Sequence, residues 1–439
     1  MITAQDISIH RAAPPIVPAV AKPAAALSER LLLMVLYITV LASSVAFIEP
    51  SPHDGLMAVL ALAFFAAGAR IERHIALLIL LLLVWNVAGL LALLNVPDQQ
   101  QTVQYAGTSI YLAVAAVLFA SLFAHNTMQR IATVSAAYVL TATLIALAGT
   151  AGYFSLFPGA HDLFTEYDRA LGAFKDPNVF GPFLIWPALV VIERMLTRSV
   201  RITDVLIIGI LLVGLLLSFS RGAWFHFAVS CAVMMMLAFF TAATDGARRR
   251  IFAVSVIGIA AVAAFILILL SFDSIANMFQ ERAQLLQSYD VGSGGRFRLQ
   301  ELALGDLLNF PNGMGPFQFD RVHGLQQHNV YLQAFLVYGW AGGTAYLTLL
   351  AATLWTALRT VFARTPWQPY LICAFATFVG EIIEGFVIDT DHWRHFFLLI
   401  GMIWGLAAAT LNHVRSRHVP LLEGRFLPAG ALIESAERR

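Results

Sequence analysis

The chain is short of charge. Only 12% of its 439 residues are Asp, Glu, Lys or Arg, against 59% hydrophobic residues and a mean hydropathy of +0.77. That leaves too little polar surface for a chain this long to dissolve in water, so the bilayer is its solvent. A formal net charge of +1 provides no global field to attract nucleic acid, and nucleic-acid binding is set aside. Cysteine is equally scarce. Cys231 and Cys373 stand in separate apolar runs, where they fill space and neither form a disulfide nor hold a metal. Several chemistries also lack their signatures: there is no HExxH, no Walker A loop, no GxSxG and no Cys/His set at zinc spacing. These absences exclude the zinc proteases, P-loop nucleotidases and serine hydrolases that such motifs mark. The Asp389–Thr390–Asp391 pair is the one place to look for a divalent metal, and Arg394 and His392 beside it favour salt bridging.

What is present is a succession of apolar runs long enough to cross a bilayer as helix, which takes roughly 17–25 residues. Twelve are centred near Val40, Leu62, Leu83, Val114, Thr141, Ile185, Leu211, Val233, Ala260, Leu347, Phe378 and Met402. They lack the alternation of a membrane barrel, so an all-α polytopic membrane protein of about 12 transmembrane helices is expected. Basic residues support this count. Of the 27 Lys and Arg, all but Arg169, Lys175, Arg221, Arg282, Arg296, Arg298, Arg321 and Arg394 fall in alternate connections, the pattern of cytoplasmic loops. Both termini are then cytoplasmic. Residues 1–30, rich in Ala and Pro, read as a disordered tail, 31–412 as the membrane domain and 413–439 as a second tail. The long leader before Ala42–Ala46 makes the first span an uncleaved anchor.

A large outer loop, 271–327, separates the ninth and tenth spans. Within it Ser274–Gln287 and Arg296–Leu308 carry helical spacing, the second starting after the Gly-rich stretch Gly292–Gly295. Two short helices near the outer interface are expected.

The outer arginines carry the functional signal, because they are not topology signals and are costly near hydrocarbon. Arg221 lies in Phe219–Ser220–Arg221–Gly222, between two long apolar spans; it either snorkels to lipid headgroups or faces a ligand. Arg296, Arg298 and Arg394 lie on the same side, and several guanidiniums around one cleft suit a phosphate group. The structural alternative pairs Arg298 with Glu301, and Arg394 with Asp389 and Asp391. Glu381 and Glu384, three residues apart on one helix face, either neutralise Arg394 or another arginine of the cleft or form half of an ion path; the first is favoured because no matching charged sets stand in other spans. His328 stands where the large loop enters the next helix, and an imidazole there is a candidate general base. His323 competes from a setting that reads as exposed loop. Asn178, after Asp176–Pro177, is either a helix-start hydrogen-bonding residue or a substrate contact.

These segments together, in order and all on the outer side, resemble the O-antigen ligase and polymerase family of bacterial envelope proteins. The resemblance rests on Phe219–Ser220–Arg221–Gly222, Gly295–Arg296, the Gly313–Met314–Gly315–Pro316 turn, and Gln327–His328–Asn329 leading into Tyr338–Gly339–Trp340–Ala341–Gly342. It implies a metal-independent, cofactor-free glycosyltransferase of the bacterial inner membrane with a periplasmic site. Its donor would be a glycan on undecaprenyl pyrophosphate, and its acceptor the sugar core of lipid A or, in a polymerase, a lipid-linked repeat. Carried over by position, Arg221 and Arg296 bind the departing pyrophosphate and His328 activates the acceptor hydroxyl. Arg298, Asn329, Arg394 and Asn178 are expected to contact substrate. A secondary transporter is the competing class, disfavoured because the unusual polar residues gather at one face and not at the bilayer midplane.

Overall fold

The computed structural model describes residues 23–48, 50–96, 99–282 and 295–418. Residues 1–22 of the expected first tail, 419–439 of the expected second tail and 283–294 of the outer loop lie outside the described residues. The helices, in chain order, are α1 (Pro23–Leu41), α2 (Pro52–Ala66), α3 (Ala76–Ala92), α4 (Gln99–Ala124), α5 (Thr127–Tyr153), α6 (Ala160–Phe164), α7 (Pro177–Phe183), α8 (Ile185–Thr197), α9 (Ile202–Leu217), α10 (Arg221–Thr241), α11 (Asp245–Leu269), α12 (Asp273–Arg282), α13 (Arg296–Asn309), α14 (Gln318–His323), α15 (Val330–Thr360), α16 (Gln368–Glu384) and α17 (Arg394–His418). A two-residue hairpin pairs Thr165 with Ala170 and Glu166 with Arg169.

The protein is an all-α polytopic membrane protein. Among the described residues, 9 helical segments are long and apolar enough to cross a membrane. Every one of the twelve expected centres falls on a helix. Three fall outside those 9 segments, on α2 with 15 residues, α9 with 16 and α16 with 17. At 1.5 Å per residue these fall short of the roughly 30 Å hydrocarbon core. Apolar composition therefore located the helices better than it counted the crossings.

Two boundaries differ from expectation: α17 continues to His418, past 412, and the first helix starts early. α1 begins at Pro23, inside the stretch read as tail, because its continuation finds a partner: the Glu29 carboxylate accepts from Arg130 Nε and Nη2 on α5, each at 2.9 Å. Arg130 also donates to the Leu122 carbonyl at 2.9 Å. A fork-on-carboxylate pair of this kind ties the start of α1 to the bundle.

The core is built on aromatic side chains and close backbones. Trp85 of α3 stacks on Phe397 of α17, with centroids 5.9 Å apart and planes at 12°. It also meets Tyr338 and Tyr346 of α15 at 4.9 and 5.6 Å. α17 runs against α4 through Gly401 and Gly405, where a β-carbon would stand 2.8 Å from the Ala116 carbonyl oxygen and 2.5 Å from that of Ala120. In hydrocarbon, where burial itself gives no drive, such small-residue contacts are what hold helices together. By contrast α11 flanks α8 and α10 and is almost wholly lipid-facing.

The outer loop is joined to the bundle by its own turn. α15 is broken at Gly339, whose φ of 66° and ψ of −173° leave the helix. The break frees backbone groups, and the loop supplies their partners: Trp340 N donates to the Pro311 carbonyl at 2.8 Å, and Met314 N to that of Leu336 at 2.6 Å. The two backbones approach so closely that a β-carbon on Gly339 would meet the Pro311 oxygen at 2.6 Å, and one on Gly313 the Val337 oxygen at 2.8 Å. Only glycine fits both the positive φ and the contact. Trp340 Nε1 adds a bond to the Leu307 carbonyl at the end of α13, at 2.7 Å. Two of the motifs noted in the sequence thus meet as one joint, and that joint positions α13.

Candidate functional site

The site is a cavity of about 1130 Å³ between the outer loop and the ends of α10 and α16. Several of its polar side chains stand at helix starts. α9 ends at Leu217, Phe219 takes a left-handed φ of 45°, and Ser220 caps α10 by accepting from Ala223 N at 3.4 Å. Arg221 is then the first residue of a 21-residue helix. Arg296 is likewise the first residue of α13, after Gly295. A helix start carries about half a positive charge and unsatisfied N–H groups. Two such starts, each with a guanidinium at its first residue, line one cavity, an arrangement suited to a polyanion.

His328 completes the set. It has a φ of 47° immediately before Asn329, whose Oδ1 caps α15 by accepting from Tyr331 N at 3.0 Å and Leu332 N at 3.1 Å. Asn329 Nδ2 donates to the Phe386 carbonyl at 3.2 Å. The asparagine is buried and lies off the cavity wall, so its visible work is to hold the turn that presents His328. The imidazole is half-exposed in the cavity, and its Nδ1 lies 3.6 Å from Asp389 Oδ2. Burial pushes the Asp389 carboxyl above the ordinary carboxylate range; His328 draws it back down, and Asp391 adds to the rise. A carboxylate behind one ring nitrogen leaves the other to take a proton.

Asn178 also lines the cavity. Its backbone N–H is capped by Asp176 Oδ1 at 2.7 Å, while its own Oδ1 accepts from Arg169 Nη2 at 2.8 Å. Arg169 Nε donates to the Ser218 carbonyl at 2.8 Å. Arg169 therefore ties α7 to the turn that carries Arg221. It is 8% exposed, a buried cation holding two segments of the wall, and in the sequence it stands only as one outer basic residue among eight. Arg282 lines the same cavity. The remaining wall is aromatic and aliphatic, with Trp224 stacked on Phe279 at 5.3 Å and the exposed rings of Phe225, Phe297 and Phe386.

Two more expected contacts, besides Asn329, lie off the cavity wall. Arg298 points away and pairs with Glu301 at 2.5 Å. Arg394 takes neither Asp389 nor Asp391 but Asp54 of α2, through Nε at 3.2 Å and Nη2 at 3.0 Å, and it lines a separate, smaller cavity. Glu381 and Glu384 do not neutralise Arg394 either: Glu384 Oε2 bonds His226 Nδ1 at 2.8 Å, and Glu381 lies 3.5 Å from His395 Nε2. The reason is distance along the chain. Asp54 is 340 residues from Arg394, and only the packing of α2 beside the start of α17 brings them together. The Asp389–Thr390–Asp391 pair also splits, Asp389 turning to His328 and Asp391 accepting from Tyr105 OH at 2.9 Å. His323 is not an exposed loop residue; it bonds Asp306 at 2.7 Å, away from the cavity.

A protein-family model described as O-antigen ligase matches residues 206–347. That stretch runs from α9 into α15 and carries Arg221, Arg296, Arg298, His328 and Asn329, while Asn178, Asp389 and Arg394 lie outside it. No curated protein matches the chain. The family resemblance read from the motifs is borne out through this segment, which supports a multi-pass membrane protein of polysaccharide biosynthesis; the members of that family are membrane glycosyltransferase-like enzymes.

Proposed function

Taking kinship with the O-antigen ligases as the premise, we propose that the chain transfers a glycan from undecaprenyl pyrophosphate to a sugar hydroxyl at the periplasmic face of the bacterial inner membrane, with both termini cytoplasmic. One observation carries the reading: Arg221 and Arg296, each opening a helix, share a single cavity with His328. The acceptor oxygen attacks the anomeric carbon, the bond from that carbon to the phosphate oxygen breaks, and the electron pair leaves on the pyrophosphate. The hydroxyl proton passes to the His328 nitrogen facing away from Asp389. Negative charge grows on the leaving group, and fixed cations in a water-poor cavity are worth most at such a place. The two guanidiniums and two helix starts supply that charge without a metal ion, and the apolar rim gives the lipid carrier a way in. Asn178 joins Arg169 in shaping the wall beside the diphosphate. Arg298 and Arg394, held by Glu301 and Asp54, take no part in this step.

The favoured acceptor is the core of lipid A, which makes the protein a ligase. The test is transfer by purified protein in EDTA from a synthetic undecaprenyl-pyrophosphate glycan, with lipid A core and a second lipid-linked repeat offered separately. Product on lipid A core supports the ligase, and product on the repeat replaces it with a polymerase. No release of undecaprenyl pyrophosphate with either acceptor overturns the reaction.

A further inference from the structure

Three groups at the larger cavity come from three separate segments: Arg296 from the start of α13, His328 from the turn before α15, and Asp389 from the loop after α16. α13 belongs to the outer loop, and its far end is docked by the Trp340 bond to the Leu307 carbonyl. Its near end carries Arg296 and needs a fixture of its own. A guanidinium and an imidazole that act on one bond require a set spacing, since a misplacement of about 1 Å can cost about 10²-fold in rate.

Gln300 stands at that near end. It follows Arg296 by four residues, one turn on along the same face of α13. Its Nε2 donates to the carbonyl of Gln327, immediately before His328, at 3.4 Å, and to that of Phe386, three residues before Asp389, at 3.3 Å. Both partners are carbonyl oxygens, which only accept, so the amide nitrogen and not its oxygen faces them. An NH₂ group has one hydrogen for each. The Phe386 carbonyl takes a second bond, from Asn329 Nδ2 at 3.2 Å, and Val330 N donates to the adjacent Gly385 carbonyl at 2.9 Å. One side chain on α13 thus reaches both the His328 turn and the Asp389 loop, which are bonded to each other. The two Gln300 bonds are long, and what they supply is placement more than binding strength. Gln300 is not part of the cavity wall, so it acts through the groups it holds.

We propose that Gln300 is a positioning residue whose amide fixes the spacing between the Arg296 guanidinium and the His328–Asp389 pair. Its part in the reaction rests on the reading of the larger cavity as a glycosyl-transfer site; the linkage itself does not.

The test uses the full chain in nanodiscs and three variants. Gln300→Glu keeps the shape but turns acceptor oxygens toward two carbonyls, Gln300→Met keeps the length without a donor, and Gln300→Lys supplies several donors on a similar reach. Hydrogen exchange read by mass spectrometry needs no turnover. Gln300→Glu and Gln300→Met should each speed exchange about tenfold in residues 327–332 and 385–389, neither of which carries the substitution, and Gln300→Lys should restore part of the protection. In the transfer assay Gln300→Glu lowers kcat about 10–100-fold with KM for both substrates near the wild-type values. Gln300→Lys recovers part of that rate, and the losses from Gln300→Glu and His328→Ala combine to less than their product. A side chain that merely filled space would give no such pattern, because glutamate is as large as glutamine. Unchanged exchange in both segments, kcat at the wild-type level in Gln300→Glu, or losses that multiply with His328→Ala overturns the proposal. Should Gln300→Glu fail to insert, Gln300→Met and Gln300→Lys carry the same readouts. Faster exchange in the variants of a wild type that transfers nothing would remove the reaction and keep the linkage, whereas wild-type transfer with exchange insensitive to all three variants would remove the linkage alone.

Discussion

The two outer cavities hold arginines in opposite circumstances. In the larger, Arg221 and Arg296 open helices, so backbone N–H groups add to their charge. In the smaller, Arg394 also opens a helix, but the Asp54 carboxylate lies 3.0 Å from its guanidinium. The same residue type at the same kind of position is, in one cavity, the proposed grip on a diphosphate and, in the other, part of an ion pair with an acid that packing delivers from a distant helix.

The largest expected effect comes from removing the concentrated charge. Arg221→Ala and Arg296→Ala should each lower the transfer rate by about 10²–10³-fold, the usual loss when a donor aimed at developing charge is deleted. Lysine at either position should restore only part of it, because an ammonium lacks the paired-donor fork. Folded, inserted protein with normal transfer would end the assignment. His328→Ala should cost a similar factor, about 10²–10⁴-fold for a general base, while binding of undecaprenyl pyrophosphate persists.

Asp389→Asn comes next. Burial holds the Asp389 carboxyl above its ordinary range, so it is ionised only above a raised pKa, and its support of a protonated His328 is lost as pH falls through that value. The acid side of the wild-type pH–rate profile should therefore be steeper than a single ionisation, and Asp389→Asn should make it shallower with a lower plateau. An unchanged profile would remove Asp389 from the pair. For folding, the sign is the reverse: a raised carboxyl binds its proton more readily in the folded state, so its ionisation weakens the fold as pH rises.

Smaller effects test the other side. Asp54→Asn should leave the Arg394 guanidinium part-buried without its counter-charge and lower stability by about 1–3 kcal/mol, read as a drop in Tm in detergent. Glu301→Ala, at a pair whose two side chains are largely in solvent, should change stability by less than about 1 kcal/mol. A large loss there would mean that Arg298 is not the surface pair its exposure indicates.

Much of this was legible in the residues. Apolar run length located the helices, and the helical spacing of Arg296–Leu308 located α13, which runs Arg296–Asn309. Ser274–Gln287 was read as helix and is one over Asp273–Arg282, its remainder lying outside the described residues. Arg221, Arg296, His328 and Asn178, chosen as outer polar residues that apolar spans do not explain, do line one cavity. What could not be read was anything carried by contacts across the chain. Nothing near Arg394 names Asp54, nothing near His328 singles out Asp389 over Asp391, and Arg169 acquires its role only when Ser218 and Asn178 fold onto it. Gly339 was noticed as part of a motif, but its function as the break that docks the Gly313 turn needs the three-dimensional pairing of Pro311 with Trp340.

The most direct test of the central claim is binding of undecaprenyl pyrophosphate to the purified protein, measured for the wild type, Arg221→Ala, Arg296→Ala and the double variant. If both arginines grip one diphosphate, each single variant weakens binding at least about tenfold, and the double variant is weaker than either single by less than the product of the two losses. Wild-type affinity in both single variants would contradict the account, and losses that multiply would place the two arginines on separate ligands.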